Sequence, residues 1–211
     1  MGMLQGIIFD LDGVICHTDE LHYLAWKSIA DELGIAFDRE KNNRLRGVGR
    51  MESLELLLGS VQKTAEEKAA LAARKNARYV ELLQSLTPDA VSEEVKNALS
   101  ALSRRKIRRA IGSSSKNARL ILERLALTDR FDAICDGNQI AHSKPHPEVF
   151  LKAAEMLGLV PDACAVVEDA PSGIDAAKAG GFYAFGVGEA ARYGKTDCAL
   201  PSVGALPDRL F

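Results

Sequence analysis

The chain has 211 residues, of which 47% are hydrophobic and 27% are charged, and its formal net charge is −2 at pH 7. These values are ordinary for a globular protein, and the small negative charge argues against nonspecific nucleic-acid binding, which needs a broad positive field. No apolar run approaches the roughly 20 residues that span a bilayer, so we expect neither a nucleic acid nor a membrane as a partner.

The four cysteines are spread along the chain and include no CxxC pair: Cys16, Cys135, Cys164 and Cys198. Three of them lie in or beside predicted strands, where a free cysteine behaves as a small hydrophobic residue. The first predicted strand begins at residue 5, which leaves no room for a signal peptide. We therefore expect a reducing environment in the cytoplasm. As a separate expectation, the protein is a monomer.

The amino-terminal part of the chain combines one strand with a long helical block. The apolar run 5–10 predicts a buried strand. Helical periodicity then predicts three helices, at 19–33, 51–58 and 65–86. The last of these follows Thr64-x-x-Glu67, which is a capping-box pattern.

From residue 88 onward, predicted strands alternate with predicted helices. The strands are 108–113, 133–136, 164–168 and 182–187, and the helices are 93–104, 117–125, 147–157 and 172–179. This alternation implies a parallel sheet covered on both faces. Because the first strand belongs with this set, we predict an α/β fold with a Rossmann-like parallel sheet core (1–16 and 88–211) and an inserted all-helical cap domain (17–87).

Polar residues follow several of these strands. Asp10 and Asp12 follow the first strand, Ser113 the second, and Glu168 and Asp169 the fourth, while Lys144 lies in a loop that opens a helix. Functional groups of an open parallel sheet gather beyond the carboxyl ends of its strands. The sequence therefore predicts one active site that is built from separate segments.

The acidic residues suggest a particular chemistry. Asp10 and Asp12 end an apolar strand, where buried charge is costly unless it faces a cation or a reacting group. Such a pair can bind Mg²⁺ while one carboxylate serves as nucleophile and the other as acid or base. For Asp10 and Asp12 the alternative is a solvated Asp-Gly turn without a ligand. For Asp169 the alternative is the N-cap of the following helix.

The basic and hydroxyl residues suggest a phosphate ligand. Residues 113–117 are Ser-Ser-Ser-Lys-Asn between a strand and a helix, where hydroxyl and backbone N–H groups suit phosphate oxygens. A serine-rich helix start without a ligand is the alternative. Lys144 places a positive charge before a helix that starts with proline. The alternative interpretation is that Lys144 is an ordinary surface lysine.

In order along the chain, these motifs resemble those of the haloacid dehalogenase superfamily: Asp10-Leu-Asp12-Gly-Val, the strand end at Ser113, Ser143-Lys144-Pro145 and Glu168-Asp169. The resemblance covers essentially the whole chain. Within the superfamily, three cap segments are similar to the β-phosphoglucomutase family: Thr18-x-x-x-His22-x-x-x-Trp26-Lys27, Gly47-Val48-Gly49-Arg50-x-x-Ser53 and Arg74-Lys75-Asn76.

The resemblance implies that Asp10 becomes an aspartyl phosphate and that Asp12 moves a proton to or from a sugar hydroxyl. Mg²⁺ would be held by Asp10, the backbone carbonyl of Asp12 and Asp169, with Glu168 assisting. Ser113 and Lys144 would stabilise the transferring group.

The resemblance also implies the reaction, a Mg²⁺-dependent interconversion of β-D-glucose 1-phosphate and glucose 6-phosphate through glucose 1,6-bisphosphate. A sugar-phosphate phosphatase on the same scaffold is the main alternative. A binding protein that keeps the fold without turnover is a second one. In each case the expected partner is a small hexose phosphate.

The residues expected to bind the substrate come from the cap and from the serine-rich loop: Thr18, His22, Trp26, Gly47, Arg50, Ser53, Lys75, Ser114, Ser115, Lys116 and Asn117. A mutase needs a second anion site on the cap, for which Arg50 is the candidate. His22 is expected to contact Asp12, and Thr18 to lie at the hinge. For His22 and Trp26 the alternative is helix packing.

Two further histidines, His142 and His146, are spaced like metal ligands on a helix. Pro145 lies between them and breaks the helix that this spacing assumes. We therefore predict that both are structural or exposed to solvent.

Overall fold

The computed structural model describes residues 4–45 and 48–210. Its centre is a six-stranded sheet in the order β3-β2-β1-β4-β5-β6, in which all neighbouring strands are parallel. The strands are β1 Gly6–Phe9, β2 Arg108–Gly112, β3 Ala133–Cys135, β4 Cys164–Glu168, β5 Tyr183–Gly186 and β6 Cys198–Ala199. Because β1 pairs with both β2 and β4, the residues that follow it lie at the middle of the sheet edge.

The helices fall into the two predicted groups. Between β1 and β2 the chain forms α1 Asp19–Glu32, α2 Arg39–Asn43, α3 Arg50–Leu58 and α4 Ala65–Leu83, and then α5 Glu93–Arg104. The later strands alternate with α6 Ala118–Arg124, α7 Glu148–Met156 and α8 Pro171–Ala179. The predicted fold class is confirmed, whereas α2 and β6 were not predicted. The exact boundaries of the cap stay a prediction.

The sheet is buried on both faces, as a parallel sheet requires. Ile7 and Phe9 belong to a hydrophobic cluster that includes residues of α5 and α6. Ile8 points to the opposite face, into a cluster with Phe150 of α7 and Ile174 of α8. This packing fixes β1 and therefore the position of the acidic residues after it.

The cap has a hydrophobic cluster of its own, in which Trp26 and Ile29 of α1 meet Leu54 of α3 and Leu71 of α4. The predicted capping box at the start of α4 is present. The Thr64 N–H donates to Glu67 Oε2 at 2.8 Å, and the Glu67 N–H donates to Thr64 Oγ1 at 3.2 Å. The hydrophobic cluster therefore packs α1, α3 and α4 of the cap against one another.

All four cysteines are free thiols, and Cys16, Cys135 and Cys164 are buried. Among the helices in the described part of the chain, none is both long and apolar enough to cross a bilayer.

Candidate active site

The first acidic pair is positioned by β1 and by a tight turn. The Asp10 N–H donates to the Val167 carbonyl of β4 at 2.9 Å, which continues the sheet by one residue. Gly13 has a φ of 87°, a conformation that favours glycine, and its N–H donates to the Cys16 carbonyl at 2.7 Å. The turn keeps Asp12 beside Asp10, and both side chains line the same cavity.

The carboxylates of Asp10, Glu168 and Asp169 form a buried group that we call the carboxylate cluster. One ligand oxygen from each residue lies within 4.8 Å of the others. The strands β1 and β4 are neighbours, so the residues after them meet at one point. The Asp12 side chain lies outside this cluster, and its predicted role as a ligand concerns its backbone carbonyl.

Lys144 lies against the carboxylate cluster. Its Nζ is 2.5 Å from Asp10 Oδ1 and 3.1 Å from Glu168 Oε1. Although burial favours the neutral amine, the two carboxylates raise the pKa of Lys144 above its usual value. When ionised, the three carboxylates and this ammonium sum to a charge of −2. An all-oxygen donor set with this charge fits Mg²⁺.

The pKa of the Asp10 carboxyl depends on the charges in the carboxylate cluster. Burial raises its pKa to about 7, while the charge of Lys144 opposes this shift. A divalent cation at the cluster would lower this pKa again, because opposite charge favours the ionised carboxylate.

The position of the Glu168 side chain depends on the absence of a side chain at Gly173. Glu168 Oε2 accepts the N–H groups of Asp169 and Ala170, at 2.7 and 3.3 Å. A Cβ added to Gly173 on α8 would lie 1.8 Å from Glu168 Oε1. The absence of a side chain at Gly173 therefore allows Glu168 to reach both Lys144 and the cluster.

We expect Gly173→Ala to displace Glu168 and to weaken Mg²⁺ binding by roughly 10–100-fold, the loss typical when a group that supports the metal ligands is moved. Isothermal titration with Mg²⁺ measures this change. Gly194→Ala is the matched control, because a Cβ at Gly194 meets nothing within 4 Å. Equal Mg²⁺ affinity in the two variants would contradict the role given to Gly173.

A chain of hydroxyl groups connects Asp12 to the cap. The Thr18 hydroxyl donates to Asp12 Oδ1, and the Tyr79 hydroxyl of α4 donates to Thr18 Oγ1 at 3.1 Å. Burial raises the pKa of Asp12 to about 6, although the Thr18 hydrogen bond opposes the shift. Asp12 is thus suited to exchange a proton near neutral pH. Tyr79 was not predicted, although its position one helical turn after Lys75 is a signal that could have found it.

His22 and Lys75 form a second pair inside the cap. His22 Nδ1 is 2.9 Å from Lys75 Nζ, which also lies over the rings of Trp26 and Tyr79. Thr18 lies next to Asp12 and His22 pairs with Lys75, while the expected contact between His22 and Asp12 stays a prediction. Burial, with help from the charges of Lys75 and Arg50, lowers the pKa of His22. A neutral imidazole can accept the Lys75 hydrogen bond.

Burial also lowers the pKa of Lys75 from 10.5 to about 7, and the Arg50 charge adds to this. At pH values between about 7 and 10.5, Lys75 is therefore protonated in the unfolded chain but largely neutral in the folded protein. The free energy of unfolding should therefore rise with pH above about 7, relative to Lys75→Met, by up to about 1.4 kcal/mol per pH unit. Urea unfolding of both proteins from pH 7 to 9 checks this. A difference that stays constant with pH would contradict it.

The serine-rich loop lies at the carboxyl end of β2 and contacts the cap. Ser113 Oγ accepts the Ser115 N–H at 3.1 Å, and Ser115 Oγ accepts the Asn117 N–H at 3.2 Å. The Asn117 side chain donates to Asn76 Oδ1 of α4 at 2.9 Å. Among the described residues, the buried Ser114 Oγ has no hydrogen-bond partner, so it is available to a ligand.

The sheet edge and the cap together enclose a cavity of about 1080 Å³. The predicted site residues that line it are Asp10, Asp12, His22, Trp26, Arg50, Ser53, Lys75, Ser113, Ser114, Ser115, Lys116, Asn117, Lys144, Glu168 and Asp169. Thr18 is buried behind Asp12, and Gly47 lies outside the described residues. The cap and the core are in close contact at Gly49, where an added Cβ would lie only 2.8 Å from Ser143 Oγ.

The chain is similar to several known proteins. A family model for haloacid dehalogenase-like hydrolases matches residues 4–181. A protein of Bacillus subtilis named beta-phosphoglucomutase is 45% identical over 190 residues, which cover 88% of this chain and 84% of the relative. A phosphorylated carbohydrates phosphatase of Thermotoga maritima is 31% identical over 209 residues, or 96% and 93% of the two chains. The crystal structure of a beta-phosphoglucomutase from Clostridium difficile superimposes with a TM-score of 0.92 at 36% identity, covering 97% of this chain and 93% of that one.

Proposed function

Because this chain belongs to the haloacid dehalogenase-like hydrolase family, we propose that it is a β-phosphoglucomutase. It interconverts β-D-glucose 1-phosphate and glucose 6-phosphate by passing a phosphoryl group through Asp10. The similarity to the Bacillus subtilis and Clostridium difficile mutases supports this proposal. The observation that carries it is the arrangement of positive charge around the enclosed cavity.

The cavity presents cationic side chains on two sides. Lys144 approaches from the core and contacts Asp10, whereas Arg50 and Lys75 approach from the cap helices α3 and α4. Burial and the Arg50 charge lower the pKa of Lys75 to about 7, so Arg50 is the cap side chain that is fully charged at neutral pH. A sugar bisphosphate needs one site for each phosphate, and an arginine can bind a phosphate through two parallel hydrogen bonds.

In the forward direction, the phosphorylated Asp10 donates its phosphoryl group to the 6-hydroxyl of β-glucose 1-phosphate. Asp12 removes the hydroxyl proton as the new bond between oxygen and phosphorus forms, and the Asp10 acyl-phosphate bond breaks. The resulting bisphosphate then turns its 1-phosphate toward Asp10. Asp10 attacks that phosphorus, and Asp12 returns the proton to the departing sugar oxygen, which releases glucose 6-phosphate.

The residues around Asp10 support both halves of this cycle. Lys144 orients Asp10 and neutralises charge on the phosphoryl oxygens, and the Ser113 and Ser114 hydroxyls bind those oxygens. Asp10, Asp169 and the Asp12 carbonyl would hold Mg²⁺, with Glu168 assisting. When bound, Mg²⁺ supplies further neutralisation of the developing negative charge.

We expect Arg50→Ala to reduce mutase turnover by on the order of 10²-fold, because one phosphate loses its bidentate partner. Hydrolysis of a small phosphate ester, which needs only the site at Asp10, should change little. Arg74→Ala is the matched control, since Arg74 lies on α4 and pairs with Glu32 on the cap surface. Equal losses in both reactions would indicate a merely structural role for Arg50.

A sugar-phosphate phosphatase is the second candidate, and the similarity to the Thermotoga maritima phosphatase favours it. The two activities share Asp10 and Asp12 and differ in whether water or a sugar hydroxyl accepts the phosphoryl group. An assay with β-glucose 1-phosphate separates them. A mutase forms glucose 6-phosphate and is stimulated by β-glucose 1,6-bisphosphate, whereas a phosphatase releases inorganic phosphate without that stimulation.

The other expectations about the working protein stay predictions. These are a monomeric state, a cytoplasmic location and a small hexose phosphate as the substrate. Gel filtration with light scattering checks the first of them.

A further inference from the structure

The loop before α7 brings together three side chains that the proposed reaction does not use. Ligand atoms of His142, His146 and Glu148 all lie within 4.8 Å of one another. The two imidazole rings are 4.6 Å apart between centroids, and His142 Nδ1 is 3.2 Å from Glu148 Oε2. The His146 N–H donates to the Ser143 carbonyl at 3.0 Å, and this turn brings the two histidines together without the helix that their spacing suggested.

We propose that His142, His146 and Glu148 bind a divalent transition-metal ion of the Zn²⁺ type. Two imidazole nitrogens and one carboxylate oxygen are a donor set found in protein zinc sites, with water as the fourth ligand. Imidazole nitrogen selects Zn²⁺, Ni²⁺ or Cu²⁺ over Mg²⁺. In a tetrahedral zinc site, ligand atoms at about 2.0–2.1 Å from the ion are about 3.4 Å apart. The separation of His142 Nδ1 and Glu148 Oε2 is close to that value.

The proposed carboxylate ligand is already held in place. Glu148 accepts the backbone N–H groups of Ala141 and His142, at 3.1 and 2.9 Å, and the Nζ of Lys152 at 2.7 Å. Ligating carboxylates in metal sites are commonly fixed by such second hydrogen bonds. The His142 side chain, by contrast, is 66% exposed, so an ion can reach it from solvent.

The site is separate from the carboxylate cluster, although it lies on the same loop as Lys144. His142 precedes Lys144 by two residues, His146 follows it by two, and both histidines line the cavity. A bound ion would join both sides of the Lys144 segment to Glu148 at the start of α7. Ion binding should therefore stabilise the folded protein.

Isothermal titration of the full chain with Zn²⁺, in excess Mg²⁺ to occupy the carboxylate cluster, tests the proposal. We expect one Zn²⁺ per chain and a rise in the thermal unfolding temperature. In the double variant His142→Ala/His146→Ala, the Zn²⁺ affinity should fall by more than the roughly 10–100-fold that follows the loss of a residue hydrogen-bonded to a ligand, because two ligands are lost. The stabilisation should disappear. His17→Ala is the matched control, because His17 is an exposed histidine in a different segment.

Co²⁺ provides a second readout, since a tetrahedral site gives intense visible absorption that an octahedral all-oxygen site lacks. We expect this absorption in the wild type and in His17→Ala, and its loss in the double variant. The proposal is overturned if the wild type binds no Zn²⁺ in excess Mg²⁺. It is equally overturned if the double variant retains the wild-type affinity, or if His17→Ala loses it.

Discussion

Asp10→Asn is expected to abolish the phosphoenzyme and to lower turnover by on the order of 10⁵-fold or more, as the loss of a nucleophile does in other enzymes. The amide is nearly the same size as the carboxylate, so it keeps the packing at the end of β1. It is a far weaker nucleophile, however, and it cannot form a stable bond to phosphorus. Incubation with β-glucose 1,6-bisphosphate, followed by intact-protein mass measurement, reports the phosphoenzyme directly.

Asp136→Asn is the matched control for this experiment. Asp136 is also a buried aspartate that follows a strand of the sheet, β3, and it pairs with Arg119 at 3.3 Å. It does not line the active-site cavity. We expect this variant to form the phosphoenzyme normally. A phosphoenzyme that persisted in Asp10→Asn would show that another residue is the nucleophile.

Lys144→Met is expected to have the largest combined effect on stability and activity. The lysine side chain is 1% exposed and lies between Asp10 and Glu168. Removing one partner of a buried ion pair costs about 3–5 kcal/mol, because the remaining charge is left uncompensated. Turnover should fall by on the order of 10³-fold, since the phosphoryl oxygens lose a fixed cation.

The loss of stability should depend on Mg²⁺. In EDTA the carboxylates repel one another without Lys144, whereas a bound divalent cation replaces part of the missing charge. Denaturant unfolding of Lys144→Met in EDTA and in excess Mg²⁺ measures the difference. Lys178→Met is the control, because Lys178 forms a partly exposed pair with Asp197 that should contribute only about 0–1 kcal/mol. A loss in Lys144→Met as small as in this control would contradict the role of Lys144.

The sheet and its active-site edge could be predicted because the signals are local. The five longer strands each contain buried apolar residues and are bounded by turn residues, and the residues that follow β1, β2 and β4 necessarily meet at one edge. The two-residue strand β6 gives no periodic signal and is defined by its pairing with β5, where Cys198 lies opposite Phe185. The five-residue helix α2 is also too short for a helical pattern to emerge.

The contacts inside the cap could not be predicted because they depend on how α1 packs against α4. Lys75 is 53 residues from His22, and Tyr79 is 61 residues from Thr18. A sequence pattern places each side chain on a helix face, but it does not say which helix covers that face. For the same reason the sequence does not predict that His22 pairs with Lys75. The meeting of His142 and His146 likewise depends on a loop conformation rather than on spacing.

The proposed reaction requires a divalent cation and the phosphoryl group to meet at Asp10 and Asp169. Anomalous diffraction from crystals soaked with Mn²⁺, aluminium fluoride and glucose 6-phosphate tests it most directly. We predict one Mn²⁺ bound by Asp10 and Asp169, the fluoride complex in contact with Asp10, and the sugar phosphate beside Arg50. A Mn²⁺ peak remote from these two aspartates, or a fluoride complex bound away from Asp10, would contradict the account.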